Sequence, residues 1–194
     1  MNITTKAGQA HSLRRVIIVH GYAAHPDAHW FPWLSDSLHR EGVDATVVAL
    51  PTPDDPETAA WESAVTDTIA VPDEGTWIVA HSLGGITVLR ALAALTQPWQ
   101  LGGLVLVSGF TGQLASLPVL DTYLATDVDS GRVAKSIGVR VMVRSDADAF
   151  VPPGASDELA RRLDAEVYVQ PGAGHFLAED GVTSLPLLLN LLHG

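Results

Sequence analysis

The sequence predicts an α/β fold: a single domain built on a mostly parallel sheet of about six strands, with helices on both faces and a small helical insertion. Three observations carry this. Short runs rich in Val and Ile alternate with amphipathic segments, the pattern of βαβ units. Those runs hold few alternating polar residues, as strands covered on both faces should. One run, Thr76 to Ala80, passes through a turn of small residues straight into a helical segment.

Taken in order, the first strand is Val16 to Val19, ending in His20-Gly21. A helix follows around His29 to Arg40 and closes at Glu41-Gly42, where glycine suits the residue after a helix. The second strand, Ala45 to Leu50, is stopped by Pro51, Pro53 and Pro56. Glu57 to Ala70 reads as a helix with Ala60, Trp61, Ala64, Val65 and Ile69 on one face. The third strand, Trp77 to Ala80, leads into a helix over Gly84 to Leu95. Leu104 to Val107, Val139 to Val143 and Val167 to Val169 supply the remaining strands, with helices near Gly154 to Leu163 and Val182 to Leu192. The connection from Phe110 to Gly138 is far longer than such loops usually are and reads as a helical insertion over one end of the sheet. Residues 15–194 are expected to form the domain, preceded by an N-terminal segment, residues 1–14, for which flexibility is an expectation.

Composition narrows the function classes. The chain is 47% apolar and 17% charged, as compact globular domains are, and its formal net charge of -11 disfavours nucleic acid and anionic membrane surfaces as partners. It has no cysteine, which removes disulfides, thiolate metal sites and a cysteine nucleophile. Met1 to Arg15 has no apolar signal region, and Leu185 to Leu192, interrupted by Pro186 and Asn190, is too short to span a bilayer. A cytoplasmic protein is expected.

The most informative stretch is Ala80-His81-Ser82-Leu83-Gly84. A serine hydroxyl becomes a nucleophile when it is exposed, aligned with a base and set beside donors for an oxyanion. A strand-to-helix elbow supplies all three, because it lifts Ser82 above the sheet and leaves the Leu83 N–H at a helix N-terminus. The pattern is usually written G-x-S-x-G; Ala80 stands at the first small position and keeps it small. The competing reading, a turn with an incidental serine, is weakened by the apolar run before it and the helix after it.

In the order such elbows follow, an acid and then a histidine come from loops after later strands. After Val143 two aspartates compete, Asp146 and Asp148; the Asp-x-aromatic-Val-Pro spacing favours Asp148, and a helix-capping role is the ordinary alternative for either. The loop after the last strand, Gln170-Pro171-Gly172-Ala173-Gly174-His175, presents His175. Of the other histidines among the 8, His11, His39 and His193 read as solvated, and His81 should point away from Ser82. His20 reads as a brace for its loop, and His25 and His29 as possible pocket walls. The second oxyanion donor is expected at the end of the first strand, from the Tyr22 N–H or else from Ala23.

Together, His20-Gly21-Tyr22, the pair Trp30 and Trp33, Leu50-Pro51, Trp61, the Ser82 elbow, Ser145 to Pro152 and Gly174-His175-Phe176 resemble the retinoblastoma-binding-protein-nine (YdeN-like) serine hydrolases of the α/β-hydrolase superfamily. The likeness runs from about Val16 to the C-terminus. It implies a hydrolase core with no large cap domain, and Ser82, Asp148 and His175 as nucleophile, acid and base. The expected activity is cleavage of an ester, thioester or amide, of carboxylesterase type on a small acyl substrate, with no cofactor and no metal. The alternative is a non-catalytic binding protein on the same fold. A dehalogenase is disfavoured, since its nucleophile would be an aspartate at position 82. His25, Trp30, Phe110 and Phe150 are the candidate substrate contacts, and the turn Leu50 to Pro56 and the insertion the candidate pocket walls.

Overall fold

The computed structural model describes residues 13–193. The expectations for residues 1–12, His11 among them, lie outside the described residues. Of the proposed N-terminal segment, Arg14 already joins the sheet where its first strand begins: its N–H donates to Gly75 O at 2.9 Å and its carbonyl accepts from the Asp44 N–H at 3.0 Å.

Six parallel strands form one sheet in the order β2-β1-β3-β4-β5-β6. They are β1 (Arg15–Val19), β2 (Asp44–Val48), β3 (Thr76–His81), β4 (Leu101–Val107), β5 (Ile137–Ser145) and β6 (Glu166–Gln170). Six helices accompany them: α1 (Phe31–Arg40), α2 (Thr58–Ile69), α3 (Leu83–Ala94), α4 (Ser130–Ala134), α5 (Pro153–Leu163) and α6 (Pro186–His193). The apolar runs become strand interiors because both faces are covered. Ile17, Val19, Ile78, Ala80, Leu104, Leu106 and Met142 pack under α2, α3, α5 and the insertion. Val16, Ile18, Val79, Val105, Val107, Val141 and Val143 pack under α1 and α6. Val167 and Val169 depart from this: β6 is an edge strand and leaves them 39% and 42% exposed.

Helix faces follow their periodicity. Phe31, Leu34 and Leu38 of α1 and Trp61, Val65 and Ile69 of α2 are buried at three- and four-residue spacing. The long connection after β4 folds into two 3₁₀ turns, Pro118–Leu120 and Tyr123–Ala125, followed by α4. It is held to α3 by side chains: Tyr123 Oη meets Thr87 Oγ1 at 2.7 Å, and Arg90 donates to the carbonyls of Tyr123 and Thr126. No helix among the described residues is long and apolar enough to cross a membrane.

The topology fixes where a site can form. From β1 the chain moves to β2 on one side, then returns to β3 on the other, so the crossovers diverge above the carboxyl ends of β1 and β3. A crevice opens at such a switch point.

Candidate active site

Ser82 sits in that crevice, between the last residue of β3 and the first of α3, with φ 53° and ψ −125°. This conformation is unfavourable for a residue with a Cβ, and such strain persists only where the surroundings enforce it. Here they do. Ser82 N–H donates to Val107 O at 2.9 Å, extending the β3–β4 ladder past the strand end, and α3 begins at the next residue. The β1 loop closes on the elbow from the side. A Cβ on Gly21 would lie 2.9 Å from Ser82 Cβ, and one on Gly84 would lie 2.5 Å from His20 O, so neither position accepts a side chain without movement. Ala80 is fully buried in the core beneath, where its methyl group is accommodated.

Three loops meet at the hydroxyl. Ser82 O–H donates to His175 Nε2 at 3.0 Å, and His175 Nδ1–H donates to Asp148 Oδ2 at 2.8 Å. Asp148 is held from all sides. Its Oδ1 accepts the N–H groups of Phe150 and Val151, both at 2.9 Å, and its Oδ2 also accepts Ser108 Oγ at 2.8 Å. Burial pushes this carboxyl's pKa up, but His175, the Val151 amide and Ser108 outweigh it and hold the group below its ordinary value. The other aspartate of that loop, Asp146, accepts from Gly172 N at 2.8 Å and so fastens the β6 loop.

His175 is positioned by residues to which the sequence patterns gave no such role. Asp180 Oδ2 accepts the His175 N–H at 2.8 Å and the Leu177 N–H at 3.1 Å, and a Cβ on Gly174 would fall 2.3 Å from that carboxylate. Ser108, fully buried with φ 48°, supplies the extra donor to Asp148. His81 was expected to point away from Ser82; its ring lies against His175 and joins the lining of the cleft. Its Nε2–H donates to the His175 carbonyl at 2.8 Å, and the two rings lie 4.8 Å apart. Complete burial, then the charge repulsion of His175, depresses the His81 pKa well below its ordinary 6.5, so His81 is neutral. The signals available were a histidine beside the elbow and an acid five residues after His175.

The oxyanion candidates separate cleanly. Ala23 N–H is already committed to Pro53 O at 2.9 Å. Among the described residues, Tyr22 N–H and Leu83 N–H donate to no protein group. Leu83 opens α3, where the helix dipole adds positive potential. His20 braces this loop as a neutral ring, since Nδ1–H donates to Gly21 O at 2.9 Å and Nε2 accepts from Leu50 N at 3.3 Å.

The cleft over Ser82 has a volume of about 310 Å³ and is walled by Tyr22, His29, Leu117, Phe150, Leu177 and Glu179. Of the four expected substrate contacts, Phe150 lies there, its ring 5.4 Å from that of His175. The other three do not. Trp30 and Phe110 are fully buried in the two cores, because the loop turn at His29 and the end of β4 direct them inward. His25 is exposed on the outer turn, with its carbonyl accepting from Ala28 N. The turn after β2 does not wall the cleft either; it backs the Tyr22 loop through Pro53 O. The insertion contributes Leu117.

Comparison with known proteins gives a family and a fold. A profile of the family described as serine hydrolase matches residues 16–194. YdeN of Bacillus subtilis (strain 168) is 38% identical over 179 residues, which span 92% of this chain and 94% of that protein. The crystal structure of the B. subtilis ydeN gene product superposes with a TM-score of 0.88, at 37% identity over 92% of this chain and 96% of the other. Est1E from Butyrivibrio proteoclasticus, in its complex with ferulic acid, shares the fold with a TM-score of 0.69 at 19% identity, over 96% and 89% of the respective chains.

Proposed function

The chain belongs to the serine hydrolase family, and from that premise we propose that it cleaves a small ester, thioester or amide through an acyl-Ser82 intermediate, with carboxylesterase-type activity. The observation that carries this reading is the unbroken path Ser82 Oγ–His175 Nε2 (3.0 Å) and His175 Nδ1–Asp148 Oδ2 (2.8 Å).

In this mechanism Ser82 Oγ attacks the substrate carbonyl carbon while its proton passes to His175 Nε2. Asp148 keeps the imidazole in the tautomer with Nε2 free and stabilises the imidazolium. The oxyanion accepts from Leu83 N–H and Tyr22 N–H; losing one such donor typically costs on the order of 10²–10³ in rate. Collapse expels the leaving group, which takes the proton from His175. Water then attacks the acyl-serine with His175 again as base, releasing the acid and restoring Ser82. His81 supports these steps by staying neutral, because a second positive charge 4.8 Å from the imidazolium would oppose them. The partner this reading implies is a small acyl compound, and the absence of cysteine suits a reducing, cytoplasmic setting.

The test is labelling by a fluorophosphonate probe. Wild-type protein is expected to label, and Ser82→Ala and His175→Ala are expected not to. A folded wild type that resists labelling would favour a binding protein on a hydrolase fold.

A further inference from the structure

Several histidines crowd the cleft, and His29 is the one whose polar edge remains open to a substrate. It lies in the loop before α1 and walls the cleft together with Ser82 and His175. Its Nδ1 accepts the Ala178 N–H at 3.0 Å. An imidazole nitrogen that accepts carries no proton, so the neutral ring must hold its hydrogen on Nε2. Burial lowers the pKa of this ring, which favours the neutral form. Among the described residues no protein group accepts from His29 Nε2. Nor is that atom sealed in, unlike Trp30 Nε1 and His81 Nδ1, which are buried without partners. The neighbouring donor, His81 Nε2–H, is already used on the His175 carbonyl.

The rest of the wall defines what this donor can meet. Leu117, Phe150 and Leu177 are apolar, and no lysine or arginine lines the cleft. Its charged wall residue outside the catalytic group is Glu179, whose Oε2 lies 3.9 Å from His29 Nδ1. A substrate carboxylate would find repulsion and no counter-charge. An uncharged oxygen would find a donor.

We infer that His29 is a specificity-determining residue whose Nε2–H donates to a neutral oxygen of the substrate. The cleft therefore selects acyl compounds bearing an ether, hydroxyl or carbonyl oxygen near the scissile bond over their plain alkyl counterparts. The inference rests on the hydrolase reading of Ser82.

The experiment compares kcat/KM within isosteric ester pairs, each rate corrected for hydroxide-catalysed hydrolysis. On the acyl side these are p-nitrophenyl 3-methoxypropanoate against pentanoate; on the alcohol side, 2-methoxyethyl against butyl butanoate. Mono-p-nitrophenyl succinate serves as the carboxylate-bearing control. Wild type should favour the oxygen-bearing member of at least one pair by about 3- to 10-fold, the range of one neutral hydrogen bond, and should handle the succinate worst. Two variants separate donation from loop support. His29→Asn keeps an acceptor for the Ala178 N–H and suits the left-handed backbone at φ 54°, but it has no donor at the Nε2 place; its ratio should fall to about one. His29→Gln offers an amide N–H near that place and should keep part of the preference. Fluorophosphonate labelling runs alongside. Labelling without such a preference in wild type, or with the same preference in His29→Asn, overturns the role of His29 alone. Absence of both labelling and turnover overturns the hydrolase reading and this inference with it.

Discussion

The two ends of the sheet handle strained backbone differently. Above the carboxyl ends of the strands, Thr52 (41°) takes positive φ alone in the exposed turn after β2, and five further non-glycine residues do so together: Ala23 (54°), His29 (54°), Ser82 (53°), Ser108 (48°) and Phe176 (60°). All five lie in or against the cleft, among the buried polar side chains His20, His81, Ser108 and His175. At the opposite end positive φ occurs at Ala70 and Asp164, the exposed residues that follow α2 and α5. Each such residue costs on the order of 1 kcal/mol. A lone one at a helix exit is a way of ending a helix. Several facing one another, with buried polar groups between them, mark a constellation held by its surroundings. The lesson is that strain points to function when it is collective.

Substitutions can break or sharpen that contrast. The largest effect is expected for Ser82→Gly: loss of about 10⁴-fold or more in kcat, with a higher melting temperature because the strained elbow relaxes by about 1 kcal/mol. Activity assay beside thermal unfolding reads both. A fall in melting temperature would remove the claim of strain at the elbow. Next comes Gly21→Ala, whose methyl would press on Ser82 Cβ from 2.9 Å. Displacing the nucleophile on that scale should slow fluorophosphonate labelling by about 100-fold, with stability affected far less.

Ser108→Ala should lower kcat by roughly 10-fold, the scale of one hydrogen bond to a charged group, with little change in KM. It also tests linkage. Asp148 is held below its ordinary pKa in the fold, so its contribution to stability is present at neutral pH and is lost as pH falls through the folded value. Removing the Ser108 donor raises that folded value, so acid unfolding should begin at a higher pH. Unchanged acid unfolding would detach Ser108 from the carboxylate. His81 gives the matching test on the imidazole side. Its depressed pKa means that folding excludes a proton, so stability is full above about 6.5 and declines as pH falls below it. His81→Gln keeps an amide donor for the His175 carbonyl and should flatten that acid decline while retaining most activity. His81→Phe should flatten it and lose roughly 10-fold in kcat. The smallest effect belongs to the other end of the sheet. Ala70→Gly should stabilise the fold by about 1 kcal/mol with no change in activity, the control that Ser82→Gly requires.

How much of this could be read beforehand depended on the kind of information each feature uses. Strand cores such as Val16 to Val19 were legible because burial on both faces demands a continuous apolar run. Their ends were not: β4 starts at Leu101 and β5 at Ile137, since pairing with neighbours extends strands through glycines that a hydropathy pattern discounts. The Ser82 elbow and the loops bearing Asp148 and His175 were legible because each has a local pattern at a strand end. The cleft wall was not. Trp30 and His29 are adjacent in sequence, yet one is sealed in the core and the other faces the cleft, a choice made by the turn between them. Ser108 and Asp180 escaped for a related reason. Each acts through one hydrogen bond to a residue of the constellation, and nothing in their own neighbourhoods announces the partner.

Asp180 has one more consequence. The segment between β6 and α6 carries His175, the proposed base, the two wall residues Leu177 and Glu179, and the carboxylate that grips the His175 and Leu177 amides. On the proposed mechanism, chemistry and substrate choice therefore share six consecutive residues. In evolutionary terms this would tie the residues together: drift at 177 or 179 would retune what enters only while Asp180 keeps its grip. Diversification of substrate range in such a scaffold should accumulate first on the β1 and insertion walls, at residues such as Leu117, which can change without disturbing the base.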